Sequence, residues 1–285
     1  MRPSLFFLTI GHIAEDLLPD GSITPGGTVS FAALTARNLG ERAAILTVSP
    51  DHLRHLDLFH DIEIRGRISE ISTRFENIYT PQGRIQYLRG RAPIIDIADV
   101  PEEWKQQADI VHIGPIAQEC GAELATIFKH ALIGITPQGW MRAWDSSDNR
   151  VRPVAWEKAE EILKYSGALV LSEEDLPRND EGERLLQSYI DRCPVVAFTR
   201  GSHGCTVYWE GQSFDSPAYP AREVDPTGAG DVFAAAFFIK LRETGSPPEA
   251  AHFANAAASI NIERPGLSGA PSLAEVLHRL TNPTR

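Results

Sequence analysis

Apolar, β-rich runs of four to six residues recur along the chain, separated by longer stretches in which apolar positions return at helical spacing. The runs predict strands at Leu5–Ile10, Ala43–Val48, Ile110–Ile113, Leu132–Ile135, Ala168–Leu171, Val195–Thr199 and Cys205–Trp209. Between and after them, helices are predicted at Phe31–Leu39, Ala122–Ala131, Glu157–Tyr165, Glu183–Asp191, Ala229–Glu243, Pro248–Glu263 and Leu273–Leu280. Gly40 is placed to end the first. Ser246 followed by two prolines opens the Pro248 helix, and Ser272 with Glu275 makes a capping box for the last. Strands that are apolar throughout, alternating with helices, imply a mainly parallel sheet covered on both faces.

One stretch departs from this rhythm. Ile62–Leu88 alternates residue by residue with no helical period, and Pro81-Gln82-Gly83 marks a hairpin turn. With Asp16–Thr24 it predicts a small antiparallel flap projecting from the main sheet, although an ordinary sheet edge would give the same pattern.

Composition narrows the picture. With 285 residues, 42% hydrophobic and 23% charged, the chain has enough apolar material for one large α/β domain or two small ones, and is not a disordered or fibrous sequence. Lysine and arginine number 27 against 38 acidic residues, a net charge of −11, so a nucleic-acid partner is not expected and an anionic ligand must be held by a local device. Three widely spaced cysteines, Cys120, Cys193 and Cys205, suggest neither a disulfide framework nor zinc, and point to a reducing cytoplasm. No run approaches the ~20 apolar residues of a membrane span, and Leu5–Ile10 reads as a first strand, not a leader.

The chemistry concentrates at Val224-Asp225-Pro226-Thr227-Gly228-Ala229-Gly230-Asp231, which runs into a long apolar helix. A helix start carries unpaired N–H groups and about half a positive charge, and glycines let an anion approach them. Gly228, Ala229 and Gly230 therefore form a candidate anion hole, with Asp231 in the first turn beside it. That pairing suits phosphoryl transfer: amides stabilise the migrating charge and the carboxylate accepts a proton from an attacking hydroxyl. Helix capping plus a first-turn acid is the alternative reading of the same residues.

The wider pattern resembles the PfkB/ribokinase-like sugar and nucleoside kinases. Asp225–Asp231 is similar to that family's D-T-x-G-A-G-D signature, with Pro226 in place of the first Thr. Gly26-Gly27-Thr28-Val29-Ser30-Phe31, followed by Leu39-Gly40, resembles its N-terminal glycine pair and helix, with Phe31 where an Asn is usual. Gly11 and Asp16 resemble its first-strand Gly and the acid after it. The resemblance implies a single domain over residues 1–285, a three-layer α/β/α sandwich with a small β-sheet lid formed by residues 14–28 and 62–91. It implies Asp231 as catalytic base and Gly228–Gly230 as anion hole. For the substrate it implies Asp16, Gly26 and Gly27, with Ser30 taking over for the missing Asn. Thr199-Arg200-Gly201-Ser202-His203-Gly204 resembles the T-x-G-x-x-G nucleotide loop, and Ala254–Ser259 with Arg264-Pro265-Gly266 resembles the adenine side. Thr199, Gly201, Gly204, Thr227, Asn255 and Gly266 are thus implied at ATP. Ser172-Glu173-Glu174-Asp175 stands where the family has N-x-x-E, so Glu174 and Asp175 are implied at Mg²⁺ through water; an exposed acidic loop is the competing reading. Asp225 is the corresponding place for a monovalent cation such as K⁺, a role that Pro226 weakens.

Within the family the chain is most similar to the myo-inositol kinase-type branch. The resemblance lies in Gly26–Phe31, Val224–Asp231 and Pro137-Gln138-Gly139-Trp140-Met141-Arg142, where Gln138 and Arg142 are implied at a polyol and Trp140 otherwise reads as core cover. The implied reaction is ATP-dependent phosphorylation of a sugar or cyclic polyol by a cytoplasmic monomer, or by a homodimer paired through the lid. A weakly active regulatory relative, and a kinase for a nucleoside, ketohexose or vitamin, are the alternatives. His52, His55 and His60 lie close together without a completing ligand set. The P-loop, dinucleotide and nucleophile-elbow motifs are all missing from the sequence.

Overall fold

The computed structural model describes residues 3–80 and 83–282. A nine-stranded sheet runs through the middle. Its parallel centre places Phe6–Ile10 between Arg42–Leu46 and Ile110–Ile113, followed outward by Leu132–Ile135, Ala168–Ser172 and Val195–Thr199. Cys205–Trp209 and Gln212–Ser216 close one edge in antiparallel fashion, and Glu63–Arg65 closes the other. Alternation along the first strand explains the layers. Phe7 packs with the helices Thr28–Asn38, Ala229–Thr244 and Pro247–Asn261 on one face. Phe6, Leu8 and Ile10 join Trp104, Ile162 and Tyr189 on the other. Gly134 is needed because a Cβ there would stand 2.6 Å from the Phe238 ring of the overlying helix.

Most predicted elements lie within a few residues of their expected places. The exceptions have local causes. Ala122–Ala131 forms only a 3₁₀ turn at Ala122–Thr126. The first long helix begins at Thr28 because Gly27 takes φ 88° as its cap, three residues before the apolar run that marked it. Ser246 and the Ser272–Glu275 capping box both act as expected. Among the described residues no helix is long and apolar enough to cross a membrane.

A second, four-stranded sheet stands beside the first, in the order Ile23–Gly26, Ala14–Leu17, Thr73–Thr80, Gly83–Gly90. It corrects the antiparallel expectation in two ways. Ala14–Leu17 pairs with Thr73–Thr80 in parallel, and Glu63–Arg65 belongs to the main sheet. Of the expected hairpin turn, Pro81 and Gln82 lie outside the described residues. One face of this sheet carries ion pairs, Glu15 with Arg74 at 2.8 Å and Glu76 with Arg89 at 2.5 Å. The opposite face packs Ala14, Phe75 and Leu88 onto Ile116 and Ala117 beyond the Ile110–Ile113 strand.

The junction between the two sheets is held by a wholly buried carboxylate. Glu119 accepts hydrogen bonds from the peptide N–H groups of His12 (3.0 Å), Ile116 (3.0 and 3.1 Å) and Ala117 (2.7 Å). Truncation would leave three buried donors without partners, each costing about 1–3 kcal/mol. Glu119→Ala is expected to lower unfolding stability by about 3 kcal/mol or more, read from denaturant midpoints, while Glu119→Gln loses clearly less.

Candidate active site

The site lies at the carboxyl ends of the parallel strands, where two helix starts converge. Gly228 takes a left-handed φ of 77° as cap of Ala229–Thr244, and a Cβ there would run into the Phe31 ring of the helix Thr28–Asn38. Gly228 therefore satisfies both a backbone and a packing demand. Thr28, buried at the start of its own helix, lies beside Asp231, and its side chain lowers that carboxyl's pKa. Phe31, at the position where the resemblance led us to expect Asn, is the residue that seats one helix start on the other.

Asp231 is half-buried. Enclosure by protein pushes its carboxyl up to about 6; the Thr28 hydrogen bond and the Arg142 charge oppose that rise, and the nearby Asp175 adds to it. A carboxylate tuned this way takes up a proton more readily than an ordinary Asp and is still ionised at neutral pH. Arg142 acts on both acids. Burial raises the Asp175 carboxyl, with the Ser172 N–H and Arg142 opposing and Glu174 assisting. Arg142 also donates to the Ile116 carbonyl at 3.4 Å and lies 5.7 Å from the Phe75 ring centroid in the second sheet. It follows directly on the 3₁₀ turn Gln138–Met141, where Gln138 is half-buried and Gly139 sits too close to the Pro115 carbonyl for any side chain.

The anion turn is more selective than the sequence suggested. The Ala229 N–H is taken by the Pro226 carbonyl at 3.2 Å, and the Gly228 carbonyl accepts from Val232 at 2.9 Å. The N–H groups of Gly228 and Gly230 have no acceptor among the described residues. The hole is thus reduced to these two amides, with Gly230 exposed at its mouth.

On the acceptor side, Asp16 lies over the backbone of Gly26 and accepts from the Asn77 side chain at 3.3 Å, and Gln86 in turn donates to Asn77 at 2.9 Å. Gly26 and Gly27 are in place beside it: a Cβ on Gly26 would meet the Asp16 carboxylate, and one on Gly27 the His12 carbonyl. Ser30 is a correction. It is fully buried and donates to the Gly26 carbonyl at 2.7 Å, bracing the turn instead of facing the cleft. Sequence reasoning missed Thr28, Asn77 and Gln86. Thr28 was visible as the polar residue directly after the glycine pair, whereas Asn77 and Gln86 gain meaning only from being paired across two strands.

On the far side, Gly201 (φ 51°) and Gly266 (φ 49°) face open space, as a nucleotide loop requires, and Gly204 is forced by the Ser216 carbonyl. Thr199 donates to the Leu171 carbonyl at 3.3 Å. Asn255 is a second correction. Its buried amide donates to Ser216 Oγ (2.9 Å) and to the carbonyls of Ser216 (3.1 Å) and Pro217 (3.2 Å), so it anchors the sheet edge. Asp225 is engaged on both sides. Its two oxygens accept from the N–H groups of Thr227 (2.9 Å) and Gly266 (2.8 Å). Burial would raise this carboxyl, but those hydrogen bonds outweigh it and hold the group below its usual range. It is a clasp between two loops, each oxygen accepting one N–H and keeping a further lone pair. Glu174 is exposed and Asp175 accepts from the Ser172 N–H at 2.8 Å; among the described residues no three acids, histidines or cysteines gather to hold a metal.

The site thus brings together a helix start with open N–H groups, a carboxylate raised by burial and a second acid beside a glycine pair. The chain belongs to the pfkB family of carbohydrate kinases, whose model matches residues 99–273. An inositol 3-kinase of Oryza sativa is 38% identical over 270 residues, 87% of this chain and 66% of that protein. A pyrophosphate-dependent kinase of the ribokinase family, solved with a pyrophosphate analogue and myo-inositol, shares the fold at TM-score 0.78 and 24% identity over 95% of this chain and 99% of that one. Arabidopsis thaliana ribokinase with ribose and ATP does so at TM-score 0.72 and 19% identity over 98% and 99%.

The position of Asp231 sets a pH signature. Its folded-state value of about 6 lies above the ordinary 3.8. If Asp231 takes the proton in catalysis, that acceptor is lost as pH falls through 6, and kcat/KM should rise along an acid limb centred near pH 6. Arg142→Met removes the charge that opposes the rise, so the limb should move to higher pH. A limb that stays in place would exclude Arg142 from Asp231's surroundings.

Proposed function

We propose that this protein transfers the γ-phosphoryl group of ATP to a hydroxyl of a sugar or cyclic polyol, with myo-inositol as the first acceptor to try. The observation that carries the proposal is the packing of Phe31 against Gly228, with Thr28 beside Asp231, which brings the glycine pair of one signature and the acid of the other into one site. The similarity to inositol 3-kinases supports the choice of acceptor, and the ribokinase solved with ATP supports the donor. Three neighbours described as pyrophosphate-dependent make pyrophosphate the rival donor to include.

In the mechanism, Asp16, steadied by Asn77, accepts hydrogen bonds from two acceptor hydroxyls, and Arg142 and Gln138 flank the ring. Asp231 takes the proton of the attacking hydroxyl as its oxygen engages the phosphorus in line. The Gly228 and Gly230 amides receive charge on the moving group, fixed in advance by the Phe31 packing. Residues around Glu174 and Asp175 suit a Mg²⁺ ion held mainly by donor phosphates and water, since hard oxygens are present but no protein cage is. When bound, that ion would neutralise phosphate charge. The second sheet acts as a lid that excludes water from the reacting centre. Its presence also favours a sugar kinase over the vitamin-kinase alternative.

Turnover with ATP or pyrophosphate against a panel of inositols, ribose, fructose and nucleosides tests the assignment. Stoichiometric binding without turnover on every acceptor would favour a regulatory relative. Asp231→Asn should fold, bind donor and lose ~10²–10⁴ in kcat. It should also be more stable than the native protein at pH 7, by about 2 kcal/mol. The sign follows from the raised value: the folded state takes up a proton more readily than the unfolded chain, so ionising Asp231 costs stability as pH rises through 6, and Asn escapes that cost. Near-native kcat would overturn the role of Asp231.

A further inference from the structure

Between the strand Leu132–Ile135 and the helix Ala159–Leu163 the chain makes an excursion that the reaction as described does not account for. Arg142–Ala143 pairs antiparallel with Arg152–Pro153, making a narrow hairpin. Its tip is tightened by Asp145, which accepts from the Ser147 N–H at 2.8 Å and whose carbonyl accepts from the Asn149 N–H at 3.0 Å. Asn149 takes a left-handed φ of 56° there, which turns the chain back.

The returning arm then does something unexpected for a surface loop. The Leu88 N–H donates to the Asn149 carbonyl at 2.9 Å, and the Val151 N–H donates to the Gln86 carbonyl at 2.9 Å. Tyr87 and Arg150 form an antiparallel bridge between these two bonds. This is ladder geometry against the outer strand Gly83–Gly90. The side chains agree with it: Val151 and Trp144 pack on the cluster of Ala14, Phe75 and Leu88, and Arg91 lies 5.4 Å from the Trp144 ring centroid. The other end of the excursion is fixed to the main body. Trp140 donates to the Cys120 carbonyl at 2.7 Å and stacks on Trp156 at 5.3 Å and 5°. Arg142 sits between these two attachments, at the base of the hairpin.

We propose, building on the kinase reading above, that the hairpin Arg142–Pro153 is a fifth strand of the second sheet, and that Asn149 and Val151 are positioning residues which set Arg142 through their backbone bonds to Leu88 and Gln86. The hairpin moves with that sheet as one piece and carries Arg142 towards or away from the acids it faces, while Trp140 serves as its fixed end. The lid thereby does more than exclude water. Its location decides whether the guanidinium is in place for acceptor and base. The same pairing occupies part of the outer edge of the sheet, which directs any association between copies towards the Ile23–Gly26 edge instead.

The test uses substitutions that differ in the N–H alone. Val151→Pro removes the donor to Gln86, whereas Val151→Ala keeps it and loses only packing. With the acceptor and donor found by the panel, Val151→Pro should lose ~10-fold or more in kcat/KM for the acceptor with donor KM unchanged, since small misplacements of a positioning group are costly. Val151→Ala should stay within about threefold. Combined with Arg142→Met, Val151→Pro should add little, because both remove one function; additive losses would mean that the hairpin acts on stability alone and would overturn the proposal. Amide hydrogen exchange on the ligand-free native protein tests the tether without requiring turnover or a variant that folds. The Leu88 and Val151 amides should exchange with a common opening rate and become protected together when myo-inositol is added to saturation. Val151 exchanging freely while Leu88 is protected would refute the fifth strand. Absence of turnover by the native protein, with the two amides still exchanging together, would count against the kinase reading and leave the tether standing.

Discussion

The approach of the Phe31 ring to Gly228, with Thr28 beside Asp231, is the contact on which the rest of the candidate site depends. It seats the start of the first long helix on the start of a helix from the far end of the sequence. Two peptide N–H groups, a tuned acid and the glycine turn beneath Asp16 all take their places from this seam. A helix start is an anion site in general terms only; here the neighbouring helix decides which amides stay open and how far the acid is enclosed.

Electrostatics follow the same logic of local arrangement overriding the whole. The chain carries a net charge of −11, and the centre itself holds Asp231 and Asp175 close enough to repel each other. On the proposed reading, a phosphoryl donor entering such a place would rely on fixed dipoles and on Arg142, not on a favourable surface field. Arg142 reaches four groups: Asp231, Asp175, the Ile116 carbonyl and the aromatic face of Phe75. The cleft thus has its cation on a segment that is hydrogen-bonded to the second sheet, while its acids stand on the main sheet and the helix above it.

The layered architecture was legible because it rests on short-range signals. Runs such as Ile110–Ile113 and Leu132–Ile135 are apolar throughout, and the Ser272–Glu275 box is local chemistry. Asp231 and Gly228 were legible for the same reason, lying side by side where a helix begins. What escaped is long-range. Asn255 sits in a small-residue helix that matches a nucleotide-side pattern, yet the carbonyls of Ser216 and Pro217 claim its amide. Ser30 is polar in the right segment but turns back onto Gly26. The parallel pairing of Ala14–Leu17 with Thr73–Thr80 brings together segments far apart in the chain, and alternation alone does not reveal its direction.

The Asp225 clasp has a consequence for how such an enzyme changes its donor. One carboxylate binds the turn that feeds the phosphate amides and, through its second oxygen, the Gly266 loop on the opposite wall. On the proposed reading, in which these loops meet the donor's base and phosphates, both functions share a single hinge pin. A lineage drifting from a nucleotide to a smaller polyphosphate cannot reshape the outer wall without disturbing the register of the reacting phosphorus. Compensating changes should accumulate in both loops together.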